Sequence, residues 1–224
     1  FLAFSKAALA QFGNCTASEM RTYVDSATGN TITMLTDTMK NDRFLYQTDP
    51  MWTADGKYLL FRSSSRGNDK EVESTLPNGE KRKWTPTQIY FIEMATGKII
   101  QATEGPNLGS AFLANKTNRM FVSRKEKENW NMYVMDLNKF FADVKQGKVG
   151  KPSAYETFIG TFPTEMGRPG GYAVDCNDDY AYITVEREGT EEEKERMMKN
   201  AFLPESNQPV MIKPSLCGFR IMNF

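Results

Sequence analysis

One pattern recurs at a fixed interval and constrains the fold more than any other feature of the chain. Trp52-Thr53-Ala54-Asp55-Gly56-Lys57-Tyr58-Leu59-Leu60-Phe61 is an apolar strand, a polar turn and a second apolar strand. It aligns with residues 113–122 and again with 174–183, and the offsets 113 − 52 and 174 − 113 are both 61. Asp55-Gly56 supplies the positive φ that a two-residue hairpin turn needs. A second hairpin follows the first copy: residues 88–94, the turn Ala95-Thr96-Gly97-Lys98, then residues 99–103. The two hairpins together make four antiparallel strands, which is the content of one propeller blade. A fixed period signals a repeat architecture, and this one exceeds a minimal blade of roughly 40–45 residues because of insertions. The competing account is a β-sandwich with coincidental spacing.

Composition narrows the function classes. Tyr, Phe, Ile and Val in the strands suit an all-β class. The 28 Lys and Arg balance 28 Asp and Glu, so no global basic field argues for nucleic acid. No apolar run reaches 18 residues, so no membrane span is expected. There is no histidine, which removes the commonest general base and the commonest metal ligand. Cys15, Cys176 and Cys217 form no zinc spacing, and an odd count leaves at least one thiol unpaired within a monomer. Cys176 falls in a predicted turn and Cys217 at the start of a predicted strand of the same repeat; buried or incidental thiols are the plainer reading, and a disulfide between them is the alternative.

Residues 1–11 resemble the tail of a secretory signal peptide, with Ala8-Leu9-Ala10 fitting the small-x-small cleavage rule. Lys6 interrupts the apolar stretch and there is no basic n-region. The expectation is a periplasmic or secreted protein, against a cytoplasmic one with an amphipathic N-terminal segment over 1–20.

In chain order, residues 21–37 read as strand, Ala-Thr-Gly turn, strand: the outer half of a blade whose inner half does not precede it. Three blades follow at about 46–104, 107–163 and 170–224. The first has a long insertion, 64–86, with Arg66-Gly67-Asn68-Asp69-Lys70 and Lys81-Arg82-Lys83-Trp84. Basic residues with a Trp can grip an anion or a sugar, although a solvated loop is the more ordinary reading. The second has an insertion at 138–153 with room for a short helix. In the third, Gly170-Gly171 lets backbones approach closely, and Thr190 caps a predicted solvated helix over 190–200. A chain that starts in one blade and stops inside another is expected to be the N-terminal part of a longer protein, since a closed ring needs at least four blades.

The hairpin Asp49-Pro-Met-Trp-Thr-Ala-Asp-Gly-Lys-Tyr-Leu-Leu-Phe61, with Ile89-Tyr-Phe-Ile-Glu-Met-Ala-Thr-Gly-Lys98, resembles the TolB-type propeller repeat. The order of residues 23–36, Phe44-Leu-Tyr-Gln47, the Asp-Gly-Lys hairpin and Gln101-Ala-Thr-Glu-Gly105 resembles the oligogalacturonate lyases, polysaccharide lyase family 22. The likeness is best over 21–105. It implies a seven-bladed propeller that cleaves short pectic uronate oligomers by β-elimination. It also implies a manganese-type divalent metal, held in the family mainly by histidines of later blades. No residue of this chain matches those ligands, so no metal ligand is assigned and this segment alone is expected to be inactive. Where the family usually reads His-x-x-Tyr, this chain reads Arg43-Phe44-Leu45-Tyr46.

Arg43 and Tyr46 are therefore the candidate substrate-binding residues, with Arg168 a weaker third at the corresponding approach to the last blade. An Arg fork matches a carboxylate and a Tyr hydroxyl can donate to a sugar oxygen. The alternative is that Arg43 pairs with Asp42 or Asp49 and Tyr46 packs between blades. A non-catalytic TolB-like propeller that binds a protein or a glycan is the competing function.

Overall fold

The Asp-Gly turn folds as its residues dictate. Gly56 takes φ 69°, and the Thr53 N–H bonds the Tyr58 carbonyl at 3.0 Å across the turn. The computed structural model describes residues 12–47, 49–67, 71–75, 79–162, 169–185 and 217–220, by backbone alone at 169–172, 181–185 and 217–220. The predicted helix at 190–200 and the leader-like residues 1–11 lie outside the described residues.

The strands are β1 (Cys15–Thr16), β2 (Arg21–Val24), β3 (Thr31–Met34), β4 (Asp42–Arg43), β5 (Tyr58–Ser63), β6 (Val72–Thr75), β7 (Lys81–Trp84), β8 (Gln88–Glu93) and β9 (Ile99–Gln101). They continue with β10 (Leu108–Leu113), β11 (Arg119–Glu126), β12 (Asn129–Asp136), then helix α1 (Leu137–Gln146), β13 (Glu156–Thr161), β14 (Pro169–Val174), β15 (Tyr180–Val185) and β16 (Cys217–Arg220). All pairing is antiparallel, so the fold is all-β with one α-helix among the described residues. A first sheet runs β1-β9-β8-β5-β4, a second β10-β11-β12-β13 and a third β14-β15-β16; β2-β3 and β6-β7 are separate pairs.

The repeat is visible in the register. Trp52 faces Leu59, Leu113 faces Met120 and Val174 faces Ala181, each pair 61 residues after the last. The turn hydrogen bond of Thr53 recurs from Ala114 to Arg119 and from Asp175 to Tyr180. The ladder also breaks at matching places: a bulge lies between Leu108 and Ala111 in β10 and between Gly170 and Tyr172 in β14. In the first sheet the same place is opened much further. After Arg43 faces Arg62, the chain leaves the ladder and rejoins where Leu60 donates to the Met51 carbonyl. Residues 44–47, 49 and 50 thus belong to an enlarged bulge.

Two features differ from the expectation of four strands over 46–104. The innermost strand is split into β4 and a single bridge at Trp52, because of that enlarged bulge. A fifth strand, β1, adds to the outer edge through Cys15 opposite Ile100 and Thr16 opposite Ile99. Phe12 is buried beside it, so the segment from residue 12 packs as part of the first sheet rather than standing apart from it. Cys176 is a free, exposed thiol, so it forms no disulfide with Cys217.

Side chains alternate across β5 as a strand requires. Tyr58 and Leu60 enter the main core with Ile89, Phe91, Leu113, Met120, Val122 and Met135, which joins the first sheet to the second. Leu59 and Phe61 face the other way with Tyr90, Ile92 and Ile99, and Leu35 after β3 packs there. Phe112, Phe121, Met132 and Phe162 fill the far side of the second sheet, where Val174 of the third joins them. Helix α1, N-capped by Asp136, closes the main core with Leu137, Phe140 and Phe141. Phe141 stacks on Tyr58 at 3.6 Å and meets Phe91 edge-on at 5.1 Å. No helix among the described residues is long and apolar enough to cross a membrane.

Candidate functional site

A cleft of about 710 Å³ opens where the enlarged bulge leaves the first sheet. That volume is in the range of sites for small ligands. Arg43, Leu45, Tyr46 and Asp49 line it from the bulge, Arg62 from β5, and Arg82, Lys83 and Trp84 from β7. The facing wall is the β10 end of the second sheet, where Leu108, Gly109, Ser110, Ala111 and Phe112 are uncharged. Bulges often sit beside binding sites because they re-aim side chains. Here a second bulge shapes that wall. Ser110 donates its N–H to the Ser123 hydroxyl at 2.9 Å, and a Cβ on Gly109 would lie 2.6 Å from the Trp130 ring.

Arg43 is fixed from its base. Its neighbour Asp42 points to the opposite side, where it accepts two hydrogen bonds from Arg66 at 2.8 and 2.6 Å. Arg66 also donates to both oxygens of Glu19 at 2.8 and 2.5 Å, and its guanidinium lies 5.3 Å above Phe61. Burial alone would lower the affinity of Arg66 for its proton, but the two carboxylates more than offset this and hold the guanidinium charged. The Arg66 hydrogen bonds likewise hold Glu19 below the usual carboxylate range against the opposing effect of burial. Asn41 is tied down by Ser65 and Ser64, each at 2.8 Å. The whole approach to Arg43 is therefore anchored.

Alternation then turns Arg43 towards the cleft. It sits directly opposite Arg62 in the ladder. Like charges facing each other across a strand pair are destabilising. Arg43 donates to the Asn41 side-chain oxygen at 3.3 Å, and Arg62 to the Phe44 carbonyl at 3.4 Å. Among the described residues neither forms an ion pair, nor does Arg82 or Lys83. The cleft thus gathers four cations against one carboxylate, Asp49. Tyr46 is 64% exposed.

Of the three residues picked from sequence, Arg43 and Tyr46 line this one cleft; Arg168 lies outside the described residues. Asp42 is engaged by Arg66 rather than by Arg43. Arg62 was not among the candidates, although one signal points to it. It is the lone charge in a strand otherwise apolar or small, and it falls on the same face as Tyr58 and Leu60. The Arg82-Lys83-Trp84 run, read as an ordinary solvated loop, instead forms the strand β7 at the cleft.

No group of three or more acidic, thiol or imidazole side chains among the described residues could hold a metal ion. A manganese-type centre does not fit the described residues.

The architecture is similar to that of an oligogalacturonate lyase solved in complex with manganese, with a TM-score of 0.57 and 19% identity. That match covers 80% of this chain and 39% of the lyase. The oligogalacturonate lyase of Vibrio parahaemolyticus gives a TM-score of 0.53 and 20% identity over 78% of this chain and 38% of its own. Over most of its length the chain shares the fold of the oligogalacturonate lyases. It spans about two fifths of the length of those lyases. No family model matches the sequence, and no curated protein matches it.

Proposed function

We propose that the cleft binds carboxylates of a uronate oligomer, and that the chain is part of a propeller lyase that cleaves such oligomers by β-elimination. The observation that carries this reading is the Arg43–Arg62 pair, opposed in register at a cleft and without a carboxylate partner among the described residues. A planar guanidinium matches a carboxylate bidentately, so a bound uronate would relieve the repulsion that the ladder imposes. The three sheets would be successive blades, and β2-β3 the outer half of another.

In β-elimination a base takes the proton on the carbon beside the carboxylate. The C–H electron pair forms a carbon–carbon double bond, and the glycosidic oxygen leaves with its own pair. Negative charge grows on the carboxylate oxygens as the proton departs. Arginines held at those oxygens stabilise that charge without having to reorganise. This chain's contribution is to bind and orient the uronate and to acidify its C–H; no step through a metal is assigned to it.

Calorimetric titration with trigalacturonate tests the binding. Arg43→Ala or Arg62→Ala should each weaken affinity about tenfold or more, the effect of losing a charge-assisted hydrogen bond of roughly 1.5–3 kcal/mol. Unchanged affinity with lowered thermal stability would make the pair structural and remove the basis of the proposal.

A further inference from the structure

The cations of the cleft come from two separate elements. Arg43 and Arg62 belong to the β4–β5 ladder. Arg82 and Lys83 belong to β7, half of a two-stranded arm that joins no other sheet. The arm leaves the first sheet after β5 and returns into β8, so its root is fixed by two central strands. Lys81 on the same strand is paired with Glu73 at 2.8 Å, and Lys83 shares that face, directly opposite Glu73 in the ladder. Arg82 turns to the other face, is exposed, and has no carboxylate within ion-pair distance among the described residues. Trp84 shares the face of Arg82 and is half-buried on the cleft wall. The facing wall carries no charge.

One carboxylate has two oxygens and is saturated by the Arg43–Arg62 pair. A further unpaired cation on another element therefore calls for a second carboxylate. A uronate oligomer presents one on every sugar. Resting on the uronate reading above, we infer that the cleft holds at least two consecutive uronates, one on Arg43 and Arg62 and a neighbour on Arg82, beside Trp84 on the same face of β7. The Trp84 ring offers an apolar surface to the uncharged face of a sugar. The β6-β7 arm is then the element that selects oligomers over monomers. Two linked contacts gain affinity beyond either alone because the second is made at high effective concentration.

The test compares calorimetric affinities of galacturonate monomer and trigalacturonate for the unaltered protein and for the variant Arg82→Gln. Gln stays polar and loses the charge at this exposed position, and an unchanged melting temperature confirms the fold. The unaltered protein should bind the trimer at least about tenfold more tightly than the monomer. In the variant the monomer affinity should stay the same while most of the trimer advantage disappears. A trimer with its carboxylates methyl-esterified should show no dependence on Arg82. Equal binding of monomer and trimer by the unaltered protein would overturn the two-site cleft and leave the uronate reading standing. Equal losses for both ligands in the variant, or none for either, would overturn the role of the arm. Failure of both ligands to bind the unaltered protein would overturn this inference and the uronate reading together.

Discussion

The first two sheets carry insertions of opposite character. The second sheet inserts α1 between β12 and β13, and the helix turns Leu137, Phe140 and Phe141 inward until they are almost fully buried. The first inserts the β6-β7 arm between β5 and β8, and the described strand residues of that arm are exposed or half-buried. The two sheets share the same register, turn bonds and bulge position. What separates them is where the inserted side chains go. Apolar side chains that an insertion buries contribute to stability; cations that it leaves at a cleft without partners incur repulsion and contribute nothing of the kind. The first insertion lines the cleft and the second completes the core.

The largest expected effect falls on the helix. Phe141→Ala removes the stack on Tyr58 and the edge contact with Phe91, and should cost about 3–5 kcal/mol in urea unfolding. Affinity of the folded molecule for trigalacturonate should not change. A variant that lost affinity as well would blur the division between the two insertions.

Next comes the anchor beneath the cleft. Arg66→Leu strands the carboxylates of Asp42 and Glu19, whose side chains are 9% and 25% exposed. Breaking a buried pair in this way costs about 3 kcal/mol or more. Because Asp42 adjoins Arg43, this variant should lose both stability and uronate affinity. Stability lost with affinity intact would show that Arg43 does not depend on its base.

Acid should loosen the helix insertion without any step near neutrality, since the chain has no histidine to titrate there. Glu93 binds Lys145 of the helix at 3.0 Å. The Thr96 hydroxyl, together with Lys145, holds its carboxyl below the ordinary 4.5 against the effect of burial. Asp55 in the first turn is held at about 2: burial would raise it, but hydrogen bonds from Thr53, Lys57 and Asn118 outweigh that. Both folded values are depressed, so the stability they contribute is present above the unfolded values of 4.5 and 3.8. It is lost as pH falls through the folded ones. Melting temperatures should hold steady from pH 8 to 5 and decline towards pH 2. Glu93→Gln should flatten the upper part of that decline.

The smallest effect on stability is expected in the arm. Arg82→Gln should change unfolding free energy by no more than about 0.5 kcal/mol. A larger loss would mean that the arm supports the fold after all.

The 61-residue repeat was legible because local rules carry it: Asp-Gly at the turn, and apolar alternation on both sides. The helix insertion was legible as a gap of suitable length. β1 was not, because a two-residue strand that pairs with residues more than 80 positions away leaves no local pattern. The split inner strand was hidden for a related reason. Residues 44–47, 49 and 50 mix Phe44, Leu45 and Tyr46 with polar neighbours, and only the matching registers of the other sheets reveal that they belong to a widened bulge. The cleft escaped in part because its cations come from β4, β5 and β7, far apart in sequence. Arg82 and Lys83 look like any solvated run until Arg43 and Arg62 are seen to line the same cleft.

A crystal structure of the protein with trigalacturonate tests the central claim most directly. The account expects one carboxylate within about 2.7–2.9 Å of the Arg43 or Arg62 guanidinium, and the neighbouring sugar directed towards β7. Trigalacturonate bound elsewhere on the molecule, with Arg43 and Arg62 still facing an empty cleft, would contradict it.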